Sequence, residues 1–131
     1  MSAFSRRLFA ETRLDTSDLI WPLFVIEGEN VTEPIDTMPS VSRYTIDKLL
    51  EQAGLAVKLG IPAIAIFPSI DSELKDDIGS LARDENNLVC RAVNAIKMAY
   101  PHLGVICDVA LDPFTLHGHD GLLKGDEVIN D

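Results

Sequence analysis

Three nearly unbroken apolar runs, separated by two segments of helical periodicity, constrain the fold of this chain more than any other feature. The runs cover residues 18–26, 63–67 and 105–111. Strands that are apolar on both faces are typical of parallel sheets covered by helices. The alternation therefore predicts an α/β fold with the order β-α-β-α-β and right-handed crossovers. Pro22, inside the first run, is expected to make the pairing there irregular.

Two helices are expected between these runs. The first follows Thr45, a suitable N-cap, and ends at Gly60, which favours the left-handed conformation of a helix stop. The second covers about residues 86–100 and precedes a proline. Residues 68–85, between the second run and the second helix, form a long acidic stretch without periodicity. Long loops of this kind often bind ligands or act as lids.

Composition excludes several classes of function. The formal net charge is −10 over 131 residues, which argues against binding to nucleic acid or to an anionic membrane. No apolar run approaches the roughly 20 residues of a membrane span, and the N-terminus lacks the apolar core of a signal peptide. These patterns predict a cytoplasmic protein. Cys90 and Cys107 lie in apolar surroundings and are expected to be buried, reduced thiols.

The chain divides into two regions. Residues 1–17 are polar and predict an N-terminal arm or an irregular leader, whereas residues 18–131 carry the strand and helix alternation. Three strands and two helices are too few to close a (β/α)8 barrel, which takes about 250 residues. Asn130 and Asp131 would make a good N-cap for a further helix. We therefore expect residues 18–131 to be an incomplete part of a larger fold.

The third apolar run leads into the most polar strand end of the chain. Asp108, Asp112 and Asp120 follow one another there, together with His117 and His119. The carboxyl ends of strands carry the chemistry in many α/β enzymes. This segment is therefore the candidate active site.

Each of these residues also has a structural interpretation. Asp108 could accept hydrogen bonds from backbone amides at the strand end, and Asp112 before a proline is a common turn former. His117 and His119 form an H-x-H pair, but Gly118 between them predicts a turn, so the two rings need not converge on a metal. A positioning role for His119 beside Asp120 is the alternative to direct ligation.

Five stretches in order along the chain resemble motifs of one enzyme family, the porphobilinogen synthases (δ-aminolevulinic acid dehydratases). The first two are residues 18–25 (DLIWPLFV) and 38–44 (MPSVSRY), and the third is residues 60–68 (GIPAIAIFP). The fourth, residues 108–121 (DVALDPFTLHGHDG), resembles the metal-region signature of the family, and residues 128–131 (VIND) resemble the lead into its next helix.

This resemblance implies the N-terminal portion of a TIM (β/α)8 barrel from tetrapyrrole (haem) biosynthesis. Members of the family condense two molecules of 5-aminolevulinate to porphobilinogen with loss of two waters. They assemble as homo-octamers in which N-terminal arms embrace neighbouring subunits. The leader with Arg6 and Arg7 would belong to such an arm, and a frayed terminus is the alternative.

The resemblance also implies roles for the candidate residues. Zinc-type members bind Zn²⁺ through three cysteines at positions that are Ala110, Asp112 and Asp120 here. Carboxylates suit hard cations, so Asp112 and Asp120 imply Mg²⁺ or a monovalent cation rather than zinc. Asp108, Asp112, Asp120 and His119 are the implied catalytic residues, with Asp108 binding the substrate amino group or assisting proton transfer.

The family reacts through Schiff bases on two lysines of later strands. All five lysines here are expected on helix surfaces or in loops: Lys48, Lys58, Lys75, Lys97 and Lys124. The chain alone is therefore expected to be inactive. Two rivals remain, a different lysine-dependent barrel lyase or aldolase, and a non-catalytic half-barrel that self-associates or binds a partner through its open strand edges.

Overall fold

The computed structural model describes residues 2–129, in which one five-stranded sheet carries the two longest helices on a single face. The helices are α1 (Ala3–Leu8), α2 (Ile46–Leu59) and α3 (Leu88–Ala99). The strands are β1 (Ile20–Val25), β2 (Thr32–Pro34), β3 (Ser42–Tyr44), β4 (Ala63–Pro68), β5 (Gly104–Cys107), β6 (Leu122–Lys124) and β7 (Glu127–Ile129). Short 3-10 turns lie at Thr16–Asp18, Ser72–Leu74, Ser80–Arg83 and Asp112–Phe114.

The strand order is β2-β3-β1-β4-β5, and β3, β1, β4 and β5 run parallel. The predicted β-α-β-α-β order is confirmed as β1-α2-β4-α3-β5. Each crossover adds its strand on the same side, so α2 and α3 cover the same face. Their buried residues share one core with the strands: Leu23, Val25, Ile64, Ile66, Leu49, Ala53, Ala56, Leu88, Ala92 and Ile96. Helices on one face are the arrangement of a barrel wall.

The opposite face of the sheet carries no helix among residues 2–129. In the parallel register Phe24 lies beside Phe67, and Ala65 lies beside Ile106. The Phe24 and Phe67 rings pack with their centroids 5.8 Å apart. Phe67 is half-buried, whereas 45% of Ile106 is exposed. The strand runs are therefore apolar on both faces, as predicted, but only the helix-covered face is fully buried.

The two long helices begin and end close to their predicted limits. Thr45 occupies the N-cap position of α2, but its buried hydroxyl bonds to the backbone of Val31 instead of the helix. Gly60 ends α2 with a φ of 78°. At α3, the Asn87 side chain accepts a hydrogen bond from the Cys90 amide at 2.9 Å, so the helix begins two residues later than predicted. Within residues 2–129, no helix is long and apolar enough to cross a membrane.

The predicted third strand, residues 105–111, is wrong at its end because β5 stops at Cys107. Continuing the register would place Asp108 beside Phe67 and Val109 beside Pro68. Pro68 has no amide hydrogen to donate, so the ladder ends there. Pro22, by contrast, does not disturb pairing: it lies beside Ala65 in an uninterrupted ladder of β1 with β4.

Further regions differ from what the sequence indicates. The residues between β1 and α2, for which the sequence predicts neither a strand nor a helix, contain the antiparallel pair β2 and β3. The leader is not wholly irregular because it contains α1, although α1 buries no residue. The stretch 128–131, which resembles the lead into the family's next helix, begins within β7, and β7 pairs with β6. The predicted cap at Asn130 and Asp131 lies outside the described residues.

Candidate active site

The candidate site is the segment of residues 108–121, which we call the signature segment, at the carboxyl end of β5. Asp108 directly follows β5, just beyond the strand in which it was predicted, and its side chain is exposed. After the fully exposed Val109, the chain turns through Asp112–Phe114, where Phe114 and Thr115 are buried. The segment therefore lies at the edge of the sheet where parallel strands of barrels place their functional groups.

Asp120 closes the signature segment into a loop. Its Oδ1 atom accepts hydrogen bonds from the amide of Leu111 at 2.6 Å and from the amide of Asp112 at 3.0 Å. Thr115 donates its hydroxyl hydrogen to the carbonyl of His119 at 3.2 Å. Ionised acceptors make the stronger class of backbone hydrogen bond, so Asp120 fixes the turn that carries Asp112.

Asp108 and Asp120 act electrostatically on Asp112, and we call these three residues the carboxylate cluster. Desolvation by burial raises the pKa of Asp112, and the negative charges of Asp120 and Asp108 raise it further. The positive charge of Lys75 acts in the opposite direction on the same pKa. A carboxyl group with a raised pKa keeps its proton nearer to neutral pH, as general acids require.

The two histidines come together, which the sequence did not predict. Their rings stack with centroids 5.7 Å apart and planes 23° apart. Gly118 adopts the expected turn with a φ of 70°. The third histidine, His102, is exposed.

A segment from outside the signature packs against it. The acidic loop, residues 69–87, contains Asp76, whose Oδ1 accepts hydrogen bonds from the amides of Ile78 at 3.1 Å and Ser80 at 2.9 Å. The backbone of Asp76 bonds in both directions to the signature segment, at the carbonyl of Phe114 and the amide of Leu116. The sequence indicated a functional loop here, but no local pattern marked Asp76 as its organising residue.

A groove of about 640 Å³ runs beside the site, between α3 and the end of β5. Asp108 and residues 109–111 line one side of it, and both cysteines also line it. Cys90 and Cys107 are reduced, as predicted, but they are half-buried and not fully buried. Burial, and then the nearby Cys90, raises the pKa of the Cys107 thiol.

The carboxylate cluster fits a hard cation in donor type but not in donor number. Carboxylate oxygens are the ligands that Mg²⁺ and monovalent cations prefer. Within residues 2–129, however, no three Asp, Glu, His or Cys side chains form a group that could hold a metal ion. Asp120 already uses Oδ1 to bind two amides. A cation site would therefore need further ligands.

The lysines lie where the sequence predicts, with one correction. Lys48, Lys58 and Lys97 are on the helices, and Lys97 donates to the carbonyls of residues 101 and 103. Lys124 belongs to β6 rather than to a loop. Lys75 lies in the acidic loop, close enough to Asp112 to affect its pKa.

Comparison with known proteins agrees with this geometry. The sequence profile of the delta-aminolevulinic acid dehydratases matches residues 1–131. The chain belongs to the delta-aminolevulinic acid dehydratase family. Among members of this family, the enzyme of Bradyrhizobium diazoefficiens is 53% identical over 128 residues, which are 98% of this chain and 36% of that protein. The enzyme of Chlamydia pneumoniae is 44% identical over 99% of this chain and 39% of its own length.

A solved dehydratase structure has the same fold. The delta-aminolevulinic acid dehydratase (porphobilinogen synthase) of Toxoplasma gondii, in complex with the reaction product porphobilinogen, superposes with a TM-score of 0.93 at 37% identity. The match covers 99% of this chain and 37% of that chain. The predicted fold class is thus confirmed: the sheet and helices form part of the TIM barrel of this family. The chain spans little more than a third of the length of these relatives.

Proposed function

We propose that this chain is the N-terminal part of a porphobilinogen synthase, which condenses two molecules of 5-aminolevulinate to porphobilinogen. The observation that carries the proposal is the match along nearly the whole chain to a synthase whose structure contains porphobilinogen. The carboxylate cluster at the end of β5 supports it, since a group of negative charges attracts the ammonium group of 5-aminolevulinate.

The four candidate residues take different roles in this proposal. Asp108, exposed at the strand end, binds the substrate amino group or assists proton transfer. Asp112 holds a proton more readily than an ordinary carboxyl group because its pKa is raised, which suits it to acid and base steps. Asp120 fixes the loop on which Asp112 lies. His119, which directly precedes Asp120, takes a positioning role beside it.

We further propose that the 131-residue chain alone does not catalyse the reaction. The family resemblance implies two Schiff-base lysines on later strands, and a lysine nucleophile must be deprotonated. Lys48 pairs with Glu51, and Lys97 binds two carbonyl groups, so both are held on the helix surface. Lys75 lies in the acidic loop and not on a strand.

The remaining family properties are proposals of the same kind. Asp112 and Asp120 contribute to a site for Mg²⁺ or a monovalent cation that other ligands complete. Residues 1–17 serve as an intersubunit arm of a cytoplasmic homo-octamer. Exposed apolar side chains of this region are consistent with an arm, since 74% of Phe4 and 71% of Phe9 are exposed.

The decisive experiment traps the Schiff base. The coding sequence beyond residue 131 is read first, and the 131-residue chain and any longer product are incubated with 5-aminolevulinate and borohydride. We expect porphobilinogen formation and labelled lysines only in the longer protein, with every label outside residues 1–131. In that protein Asp108→Asn should abolish most activity, whereas the exposed Asp36→Asn should not. A label on Lys75, or activity of the short chain, would contradict the proposal.

A non-catalytic half-barrel is the second candidate. One observation favours it: the helix-free face and the outer edge of β5 expose apolar side chains, including 55% of Ile20 and 45% of Ile106. Such a surface promotes self-association or binding of a partner. A reading frame that stops after residue 131 would make this candidate the leading one.

A further inference from the structure

His117 connects the acidic loop to the signature segment through both of its ring nitrogens. The Nε2 atom lies 3.2 Å from the backbone carbonyl oxygen of Asp77. The Nδ1 atom lies 3.2 Å from the amide nitrogen of His119, which donates its hydrogen to it. The ring is half-buried, and 40 residues separate it from Asp77 along the chain.

These two contacts define one protonation state of the ring. A nitrogen that accepts a hydrogen bond from an amide carries no hydrogen, so Nδ1 of His117 is unprotonated. A carbonyl oxygen can only accept, so Nε2 must carry the hydrogen that it donates to Asp77. The arrangement therefore requires the neutral Nε2–H tautomer.

We call the two ring contacts of His117 the His117 bridge. Other contacts between the acidic loop and the signature segment show that the two segments pack closely around this bridge. The Asp76 backbone pairs with the signature segment on either side of Thr115. Gly79, with a φ of 60°, packs so closely that an added Cβ would lie 3.3 Å from the side chains of Leu111 and Thr115. The acidic loop therefore rests directly on the turn that carries the candidate catalytic residues.

We propose that His117 is a positioning residue that, through its Nε2–H tautomer, holds the acidic loop against the signature segment and fixes His119. His117 fixes the amide of His119, while the Thr115 hydroxyl fixes the carbonyl of the same residue. With both backbone groups held, His119 presents its ring against His117, and Asp120 follows in a defined direction. The consequence for catalysis rests on the function proposed above, whereas the bridge itself does not.

Two substitutions separate the contacts of the ring. His117→Asn retains an oxygen near the position of Nδ1 but is too short to reach Asp77. His117→Gln retains a donor near the position of Nε2 but offers no acceptor to His119. Amide hydrogen exchange is measured by NMR at His119, Ile78 and Ser80 in both variants and in His117→Ala. The ¹⁵N shifts of the unsubstituted imidazole report the tautomer.

We expect exchange at His119 to become about threefold to tenfold faster in His117→Gln but to change little in His117→Asn. Exchange at Ile78 and Ser80 should show the opposite pattern, and His117→Ala should accelerate all three. The control His102→Ala, which removes an exposed histidine from the turn before β5, should alter none of them. Equal exchange in His117→Ala and the unsubstituted chain, or the Nδ1–H tautomer, would overturn the proposal.

A second measurement concerns the longer protein. His117→Ala should lower the turnover of porphobilinogen formation by about tenfold, because displaced reacting groups lose rate steeply. His117→Asn, which keeps the His119 contact, should restore part of the loss. If the unsubstituted longer protein forms no porphobilinogen, the proposed function fails, and the exchange and tautomer measurements still decide whether the His117 bridge exists.

Discussion

Asp112 has an electrostatic cost in the folded chain. Burial and two neighbouring carboxylates raise its pKa, so its charged form is less favourable in the folded state than in the unfolded state. Proteins often retain such unfavourable charges where chemistry needs them. The cluster therefore makes the folded chain less stable when Asp112 is charged, and it lets Asp112 hold its proton to a higher pH.

This cost predicts how stability depends on pH. A raised pKa stabilises the fold only while the group is protonated, so the benefit is complete below about pH 4 and is lost as the pH rises through the folded pKa. Asp112→Asn should therefore melt at a higher temperature than the unsubstituted chain at pH 7, and the difference should shrink as the pH falls and disappear below about pH 4. Melting is followed in chelator-containing buffer across this range.

The control is Asp36→Asn, which removes the same charge from an exposed turn between β2 and β3. It corrects for the reduction in the overall negative charge of the chain. Equal melting shifts for the two variants at pH 7 would mean that the cluster does not destabilise Asp112.

At the level of the elements, the sequence predicts what is periodic and buried. The helices α2 and α3 were predicted almost to their ends because their apolar residues recur at helical spacing toward one core. The strands β1 and β4 were predicted from unbroken apolar runs. The strands β2 and β7 were missed because all their residues are exposed and carry no alternating pattern.

The candidate site divides in the same way. The signature segment was recognised from its own residues, including Asp108, Asp112, Asp120 and His119. The contact between Asp76 and this segment could not be predicted, because it joins backbone groups of two irregular segments far apart in the chain. The stacking of the two histidine rings likewise depends on the turn conformation and not on their spacing alone.

The contact between α2 and α3 provides a prediction at this scale. A Cβ added to Gly54 in α2 would lie 2.5 Å from the hydroxyl of Tyr100, which follows α3. A Gly→Ala substitution inside a helix otherwise raises the free energy of unfolding by about 1 kcal/mol. Gly54→Ala in the unsubstituted background should therefore raise it by less than this. In a Tyr100→Phe background, Gly54→Ala should raise it by about 1 kcal/mol more than it does in the unsubstituted background. Urea unfolding of the double-mutant cycle measures the coupling, and a coupling of zero would show that the two helices do not approach this closely.

At the scale of the whole molecule, helices cover one face of the five-stranded sheet and leave the other face without a helix among residues 2–129. The helices α2 and α3 and the fully buried strand residues lie on one side of the sheet, while the other side leaves Pro22, Phe24 and Ile106 exposed or partly exposed. Within residues 2–129, β5 pairs with β4 alone, so its outer edge offers unpaired backbone groups. An apolar face beside an open edge is a combination that promotes association.

We therefore predict that the 131-residue chain self-associates through this face, despite its net charge of −10. Ile106→Lys places a charge on the open face at the edge strand, and charged edge residues oppose strand pairing. This variant should lower the average mass measured by light scattering with little change in stability. Met98→Lys is the matched control, since Met98 is 87% exposed on α3. A monodisperse monomer before substitution, or an equal effect of both variants, would show that the open face does not drive association.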